Sequence, residues 1–167
     1  MSTEACTVAE ENPVVAGHAL KPEEVLALVP QQEPFRFIDE IRELDREHIV
    51  ASFVFPKEAD FYRGHFPGRP ITPGVILIEA MAQAGVVAFG IYLYALEFSA
   101  EEVENMLTVF TDASVDFSGQ VLPGDRVTTT GRLKFFRRKK LKAQVEMRLD
   151  DGTVVCSGEL SGMGVPR

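Results

Sequence analysis

Residues 65–74 read HFPGRPITPG, and residues 75–96 continue as VILIEAMAQAGVVAFGIYLYAL. The second part contains one carboxylate, Glu79, and one amide, Gln83, in an otherwise apolar run. A helix that is apolar on every side must be buried, either in protein or in lipid. We therefore expect a buried helix over residues 75–96. His65 precedes it, on a loop that prolines and glycines make stiff.

The apolar run is about as long as a membrane span requires. Against a span, Glu79 lies well inside the segment, where an uncompensated acid costs about 2.5–3.5 kcal/mol on insertion scales. Acidic residues, beginning with Glu97, follow directly without a basic anchor. The sequence therefore favours the core helix of a soluble protein, with no membrane span.

Composition narrows the class of protein further. The chain has 167 residues, of which 46% are apolar and 25% charged, which is typical of one globular domain. A net charge of −8 argues against nucleic-acid binding. Cys6 and Cys156 lack the spacing of metal ligands and suggest a reducing compartment. Because glutamates occupy the N-terminus where a secretion signal needs basic residues, we expect a cytoplasmic protein.

The order of elements predicts an α+β fold. Residues 1–20 are polar and unpatterned, which suggests a flexible arm before a single domain over 21–167. A short helix begins at Pro22, and Ser99 and Glu102 have the spacing of a capping box. Strand-like stretches cover 35–44, 49–55, 107–117, 126–136, 141–149 and 153–162. Strands on both sides of one buried helix predict a curved antiparallel sheet wrapped around it.

Two side chains near the helix could carry acid–base chemistry. His65 alone would more often be structural, but its rigid loop presents the ring as a base requires. Glu79 could be a structural acid bonded to Gln83. Alternatively, its apolar surroundings could keep it protonated, so that it serves as a general acid. A neutral histidine and a protonated carboxyl together supply the two proton transfers of an elimination or a hydration.

The start of the helix could bind an oxyanion. We expect Thr72 as the N-cap and Pro73 at the first helical position, which would leave the amides of Gly74 and Val75 unpaired. Such amides could stabilise an enolate beside a thioester carbonyl, although an ordinary capped helix has the same pattern.

The rest of the sequence lacks the common catalytic, nucleotide-binding and metal-binding motifs. There is no nucleophile elbow, phosphate-binding loop or dinucleotide fingerprint, and the three histidines are too scattered for a metal site. One basic cluster stands out in this acidic chain. It is either a solvated hairpin or a docking site for a small acidic partner, and it comprises Arg137, Arg138, Lys139, Lys140 and Lys142.

The central motif resembles the active-site signature of the β-hydroxyacyl-[acyl-carrier-protein] dehydratases of type II fatty acid synthesis. The similarity is carried by HFPGRP at 65–70, PGV at 73–75 and EAMAQ at 79–83, and extends more weakly from about Pro34 to Gly162. It implies a hot-dog fold and obligate dimers, in some members trimers of dimers. Each site would take its histidine from one subunit and its glutamate from the other.

The resemblance also implies roles for individual residues. His65 would remove the proton α to the thioester, Glu79 would help the β-hydroxyl to leave, and the Gly74 amide would hold the carbonyl. Phe66 would shape the acyl tunnel. The substrate, a (3R)-hydroxyacyl thioester, would arrive on the phosphopantetheine of acyl carrier protein, and neither a metal nor a diffusible cofactor is expected.

Two segments depart from the family pattern. Residues 31–33 (QQE) and 117–121 (FSGQV) lack the positive charge that the family usually carries there. The usual mode of carrier docking is therefore in question, and the hairpin at 137–142 could replace it. The alternatives are a hot-dog thioesterase, a hydratase acting on coenzyme A esters, or a non-catalytic carrier-binding subunit of a heteromeric dehydratase.

Overall fold

One long helix lies against one face of a six-stranded antiparallel sheet, so the predicted α+β arrangement is confirmed. The computed structural model describes residues 17–167. Its strands follow the order β1-β2-β4-β5-β6-β3 across the sheet. Their bounds are β1 Glu40–Leu44, β2 His48–Val54, β3 Met106–Phe117, β4 Arg126–Arg137, β5 Lys140–Leu149 and β6 Val154–Pro166.

The central helix, α2, runs over Gly74–Ala95 and includes a π-helical segment, Gln83–Ala88. Every residue from 80 to 95 is buried, and 72% of an 18-residue apolar stretch of the helix is buried inside the fold. The π-helical segment packs on β2, β4, β5 and β6. The helix can approach the sheet closely because glycines face each other there: a Cβ on Gly131 would lie 3.0 Å from the Cα of Gly85. The apolar run thus has a protein environment.

The strands alternate as a sheet with one covered face requires. In β5 the residues Leu141, Ala143, Val145 and Met147 are all fully buried, and the residues between them are exposed or half-buried. The inward side chains form the core against α2.

Two short α-helices lie before and after α2 in the chain. Helix α1 (Pro22–Leu28) has proline in its first turn, as predicted. Helix α3 (Ala100–Glu104) begins at Ser99, whose side chain accepts a hydrogen bond from the Glu102 amide while Glu102 accepts one from Ser99. The predicted capping box is therefore confirmed.

The structure corrects one predicted strand. We expected a strand from Phe35, but β1 begins only at Glu40. The preceding segment is held on α2 instead, because the Phe35 carbonyl and the Phe37 amide both bond to the side chain of Gln83. Of the predicted arm, residues 1–16 lie outside the described residues, and Leu20 packs against the core.

Candidate active site

His65 lies on the loop between a short 3-10 helix, Asp60–Arg63, and α2. Its ring Nδ1 is 2.9 Å from the Ile71 carbonyl oxygen. Because a carbonyl oxygen can only accept, Nδ1 carries the proton and donates it. In the neutral imidazole, Nε2 is then left with a free lone pair, the state that a general base needs.

The backbone of the loop reinforces this arrangement. The His65 amide donates to the Phe61 carbonyl at 2.9 Å, and the Ile71 amide donates to the His65 carbonyl at 3.0 Å. The ring of Phe66 stacks on the imidazole, with centroids 4.1 Å apart, and its outer face is exposed. His65 itself is half-buried.

Glu79 lies in the second turn of α2 and is half-buried. Its Oε1 accepts a hydrogen bond from Nε2 of Gln83 at 2.9 Å. This contact is the structural interpretation that the sequence left open, but it does not exclude catalysis. Since Oε1 is engaged as an acceptor, a proton on the neutral acid belongs on Oε2, the other oxygen.

Gln83 holds the carboxylate of Glu79 in place. Its side chain is fully buried, its Oε1 accepts from the Phe37 amide at 2.7 Å, and its Nε2 donates to the Phe35 carbonyl at 2.8 Å. These two backbone contacts determine the orientation of the amide, so its remaining N–H is directed at Glu79. The sequence indicated Gln83 only as a partner of Glu79, because its backbone partners lie more than forty residues away.

The start of α2 differs from the prediction. The structure assigns Pro73 as the N-cap and Gly74 as the first helical residue, so Thr72 as N-cap was wrong. The Thr72 hydroxyl is instead paired with that of Tyr62, at 2.6 Å. The first helical amides to bond to the Pro73 carbonyl are those of Ile76 and Leu77. The amides of Gly74 and Val75 precede them and lie at the positive end of the helix.

The sequence did not predict that one aromatic residue, Phe117, lies near this helix end. A Cβ on Gly74 would lie 3.1 Å from the Phe117 ring, so the end of β3 borders the first turn of α2. The side chain of Val75 is 73% exposed. The site therefore lies beside uncovered apolar surface rather than in a closed cavity.

Within residues 17–167 no hydrogen bond joins His65 to Glu79. Nor does this part of the chain contain a cluster of three His, Cys, Asp or Glu side chains that could hold a metal ion. The arrangement offers a base with a fixed tautomer, a carboxyl with one oxygen held, and a helix start with two amides.

The basic hairpin lies at the other end of α2. Arg137, Arg138 and Lys140 line a pocket of about 330 Å³ with the apolar side chains of Phe135 and Met163. The Lys139 ammonium lies 4.8 Å from the centre of the Phe98 ring. Lys142 is paired with Glu159 at 2.6 Å. Lys134, followed by Lys142, lowers the pKa of Glu159 to about 2, and this one carboxylate is shared between the two lysines.

Comparison with known proteins identifies the family. Residues 29–159 match the FabA-like domain. The chain is also 35% identical over 140 residues to the 3-hydroxyacyl-[acyl-carrier-protein] dehydratase FabZ of Streptococcus pyogenes, covering 83% of this chain and 94% of that protein. The chain belongs to the FabA-like family. The family resemblance drawn from residues 65–83 is thereby confirmed.

Solved structures confirm the hot-dog fold of this FabA-like chain. The dehydratase heterocomplex ApeI:P of Xenorhabdus doucetiae superposes with a TM-score of 0.71 at 17% identity, covering 89% of this chain and 93% of that one. A mutant thioesterase of Pseudomonas aeruginosa gives 0.63 at 18% identity, covering 90% and 97%. At these identities the likeness establishes the fold alone.

Proposed function

We propose that this FabA-like protein dehydrates (3R)-hydroxyacyl thioesters on acyl carrier protein to trans-2-enoyl thioesters, in the cytoplasm and without a metal or diffusible cofactor. The observation that carries the proposal is the hydrogen bond from His65 Nδ1 to the Ile71 carbonyl, which leaves Nε2 as a base. Its membership of a family that includes the FabZ dehydratases supports the same reaction.

We assign one proton transfer to each of the two side chains. His65 Nε2 takes the proton from the α-carbon, and the electron pair moves to the thioester oxygen as an enolate. The enolate re-forms the carbonyl, the new double bond joins the α- and β-carbons, and the β-hydroxyl leaves with the proton from Glu79 Oε2 as water. Because Gln83 occupies Oε1, the proton for this step is on the oxygen that is available to substrate.

The enolate oxygen would be held at the start of α2. We propose the amides of Gly74 and Val75 as its donors, each worth about 3–4 kcal/mol if well placed. Glycine at 74 adds no side chain where a Cβ would already lie 3.1 Å from the Phe117 ring. Phe66 is proposed to line the acyl channel, consistent with its exposed ring beside His65.

The catalytic unit is proposed to be a homodimer, whether or not three dimers assemble further. Strand β3 is twelve residues long, forms one edge of the sheet, and exposes Val109, Phe110 and Phe117. A long exposed edge strand can pair with another copy. A two-fold axis through the exposed middle of β3 would bring the Phe117 end of one protomer to the Met106 end of its partner.

The carrier protein is proposed to dock on the basic hairpin. Met163 pairs with Lys140 on one side and with Val109 on the other, so the hairpin tip lies at the Met106 end of β3. In the proposed dimer this tip would lie near the partner's catalytic loop. The pocket combines apolar side chains with three cations, which suits an acidic helix with an apolar ridge.

The reaction is tested by His65→Ala and Glu79→Gln. Each should remain folded and lose roughly 10²–10⁴-fold in turnover, since each removes one proton transfer. Glu79→Gln is the sharper variant because its side-chain oxygen can still accept from Gln83. Enoyl formation and free-thiol release are measured on the same substrate. Near-normal turnover by either variant, or thiol release without enoyl product, would contradict the proposal.

The docking surface is tested by replacing its turn residues. Arg138 and Lys139 have φ of 52° and 62°, a conformation that Asn-Gly adopts with less strain. Arg138→Asn with Lys139→Gly should therefore preserve folding, while KM for a carrier-bound substrate rises about tenfold, the equivalent of about 1.4 kcal/mol. Turnover of a pantetheine thioester should not change. Arg42→Gln with Arg46→Gln, the same charge change on the β1–β2 hairpin, serves as control; an equal effect there would exclude local docking.

A further inference from the structure

The loop that presents His65 is anchored by few side chains. Residues 63–70 are exposed or half-buried, and the first buried residues on either side are Tyr62 and Thr72, at 7% and 3% exposure. Their hydroxyls share a hydrogen bond of 2.6 Å, which closes the loop at its base. Burial raises the pKa of Tyr62, so its hydroxyl stays neutral at ordinary pH.

One peptide unit connects this pair to the imidazole. The Ile71 carbonyl accepts from His65 Nδ1 at 2.9 Å, and the Thr72 amide of the same peptide donates to the Val121 carbonyl at 2.8 Å. A peptide unit is planar, so fixing its N–H also fixes the direction of its C=O. The Thr72 side chain leads from this peptide directly to Tyr62.

We propose that Tyr62 and Thr72 form a positioning clamp for the general base. The clamp holds the Ile71–Thr72 peptide in the orientation that keeps the proton on His65 Nδ1 and the lone pair on Nε2. Neither hydroxyl touches the reacting atoms. This inference rests on the proposed function of His65 and adds two residues to the machinery that supports it.

Directional bonding is what the hydroxyl pair contributes. Phenylalanine and valine would fill nearly the same space, but apolar packing does not select one orientation of the Thr72 side chain. A hydrogen bond between two buried hydroxyls selects one orientation of the Thr72 side chain, because in any other orientation each oxygen would be an unsatisfied polar group. Misplacement of a catalytic group by about 1 Å can cost about 100-fold in rate.

The test compares Tyr62→Phe, Thr72→Val, the double variant and Thr72→Ser. Each of the first two should lower kcat roughly 10- to 100-fold with KM nearly unchanged, because alignment rather than binding is lost. The double variant should be no worse than the worse single one, since both remove the same contact. Thr72→Ser keeps the hydroxyl and should restore kcat. A carrier-free pantetheine thioester is the substrate throughout.

A second readout separates positioning from general weakening. Nitrogen-15 NMR of the His65 ring should show the Nδ1–H tautomer in wild type and Thr72→Ser, and a mixture of tautomers in Tyr62→Phe and Thr72→Val. Tyr94→Phe is the matched control: it removes the hydroxyl of another buried tyrosine, which donates to the Lys139 carbonyl. It should change neither the tautomer nor kcat on this substrate.

The outcomes distinguish the clamp from the proposed reaction. Wild-type kcat and an unchanged tautomer in Tyr62→Phe and Thr72→Val would overturn the clamp while His65→Ala remained inactive. Equal losses in Thr72→Ser and Thr72→Val would overturn it as well. If His65→Ala itself were fully active, the proposed function would fail instead.

Discussion

The single buried amide of Gln83 pairs with two backbone groups and with Glu79. Gln83→Leu should fill the space but leave the Phe35 carbonyl and the Phe37 amide unpaired, each costing about 1–3 kcal/mol. We expect that loss in the free energy of unfolding, measured with urea. Glu79→Gln is the control, with under about 1 kcal/mol lost because Glu79 is half-buried and its substitute still accepts from Gln83. Near-wild-type stability of Gln83→Leu would contradict this role.

At the residue scale, the sequence indicated the candidate catalytic side chains but not the contacts that hold them. His65 and Glu79 stand out because a rigid loop and an apolar helix are visible in a linear pattern. Thr72 was misassigned, since threonine before Pro-Gly is typical of an N-cap and its competing partner, Tyr62, belongs to another element. Contacts between side chains distant in sequence leave no periodic signal.

At the scale of elements, we predict opposite effects on stability for alanine substitutions at two glycines of α2, Gly85 and Gly90. A Cβ on Gly85 would lie 2.6 Å from a methyl group of Val145, a stiff and fully buried side chain. Gly85→Ala should therefore destabilise the fold by about 1–3 kcal/mol through overpacking. A Cβ on Gly90 would meet nothing closer than 3.4 Å. Gly90→Ala should stabilise by up to about 1 kcal/mol, because alanine favours the helix.

Thermal and urea unfolding of both variants measure these effects. The pair is matched, since the substitution and the helix are the same and only the neighbours differ. Destabilisation by both variants to the same extent would show that the close approach of α2 to β4 and β5 is not the reason why position 85 requires glycine.

The elements were predicted well where one face of a strand or helix is buried. Strands β2 to β6 and α2 agree with their predicted positions to within a few residues because alternation or continuous burial determines them. The strand that we predicted to begin at Phe35 was wrong for a related reason. An apolar stretch is typical of a strand, but here its backbone bonds to the side chain of Gln83 instead of to a neighbouring strand. Hydropathy indicates burial but not the partner.

At the scale of the whole molecule, a single chain leaves apolar surface beside the candidate site uncovered. Val75 at the start of α2 and Phe110 on β3 are apolar and exposed, and both lie on surfaces that the proposed dimer would cover. The sequence predicted a fully buried helix, yet Val75 in its first turn is exposed within the protomer. That difference is what a site completed by a second copy would produce.

Mixing two inactive variants tests whether the site is shared. If His65 of one protomer works with Glu79 of the other, a heterodimer of His65→Ala and Glu79→Gln contains one intact site. Random pairing makes half of the dimers mixed, each with one live site of two, so unfolding and refolding the mixture should recover about a quarter of wild-type turnover. Either variant refolded alone should remain inactive.

The same experiment on the edge strand identifies the interface that forms the site. Phe110→Lys, added to both variants, places like charges on the exposed edge of β3 and should shift the dimer to monomer in sedimentation. Recovery of turnover should then disappear, because the two halves of the site no longer meet. If mixing never restored activity while the dimer stayed intact, His65 and Glu79 would not act across this interface. If turnover recovered despite Phe110→Lys, the two protomers would have to meet somewhere other than β3.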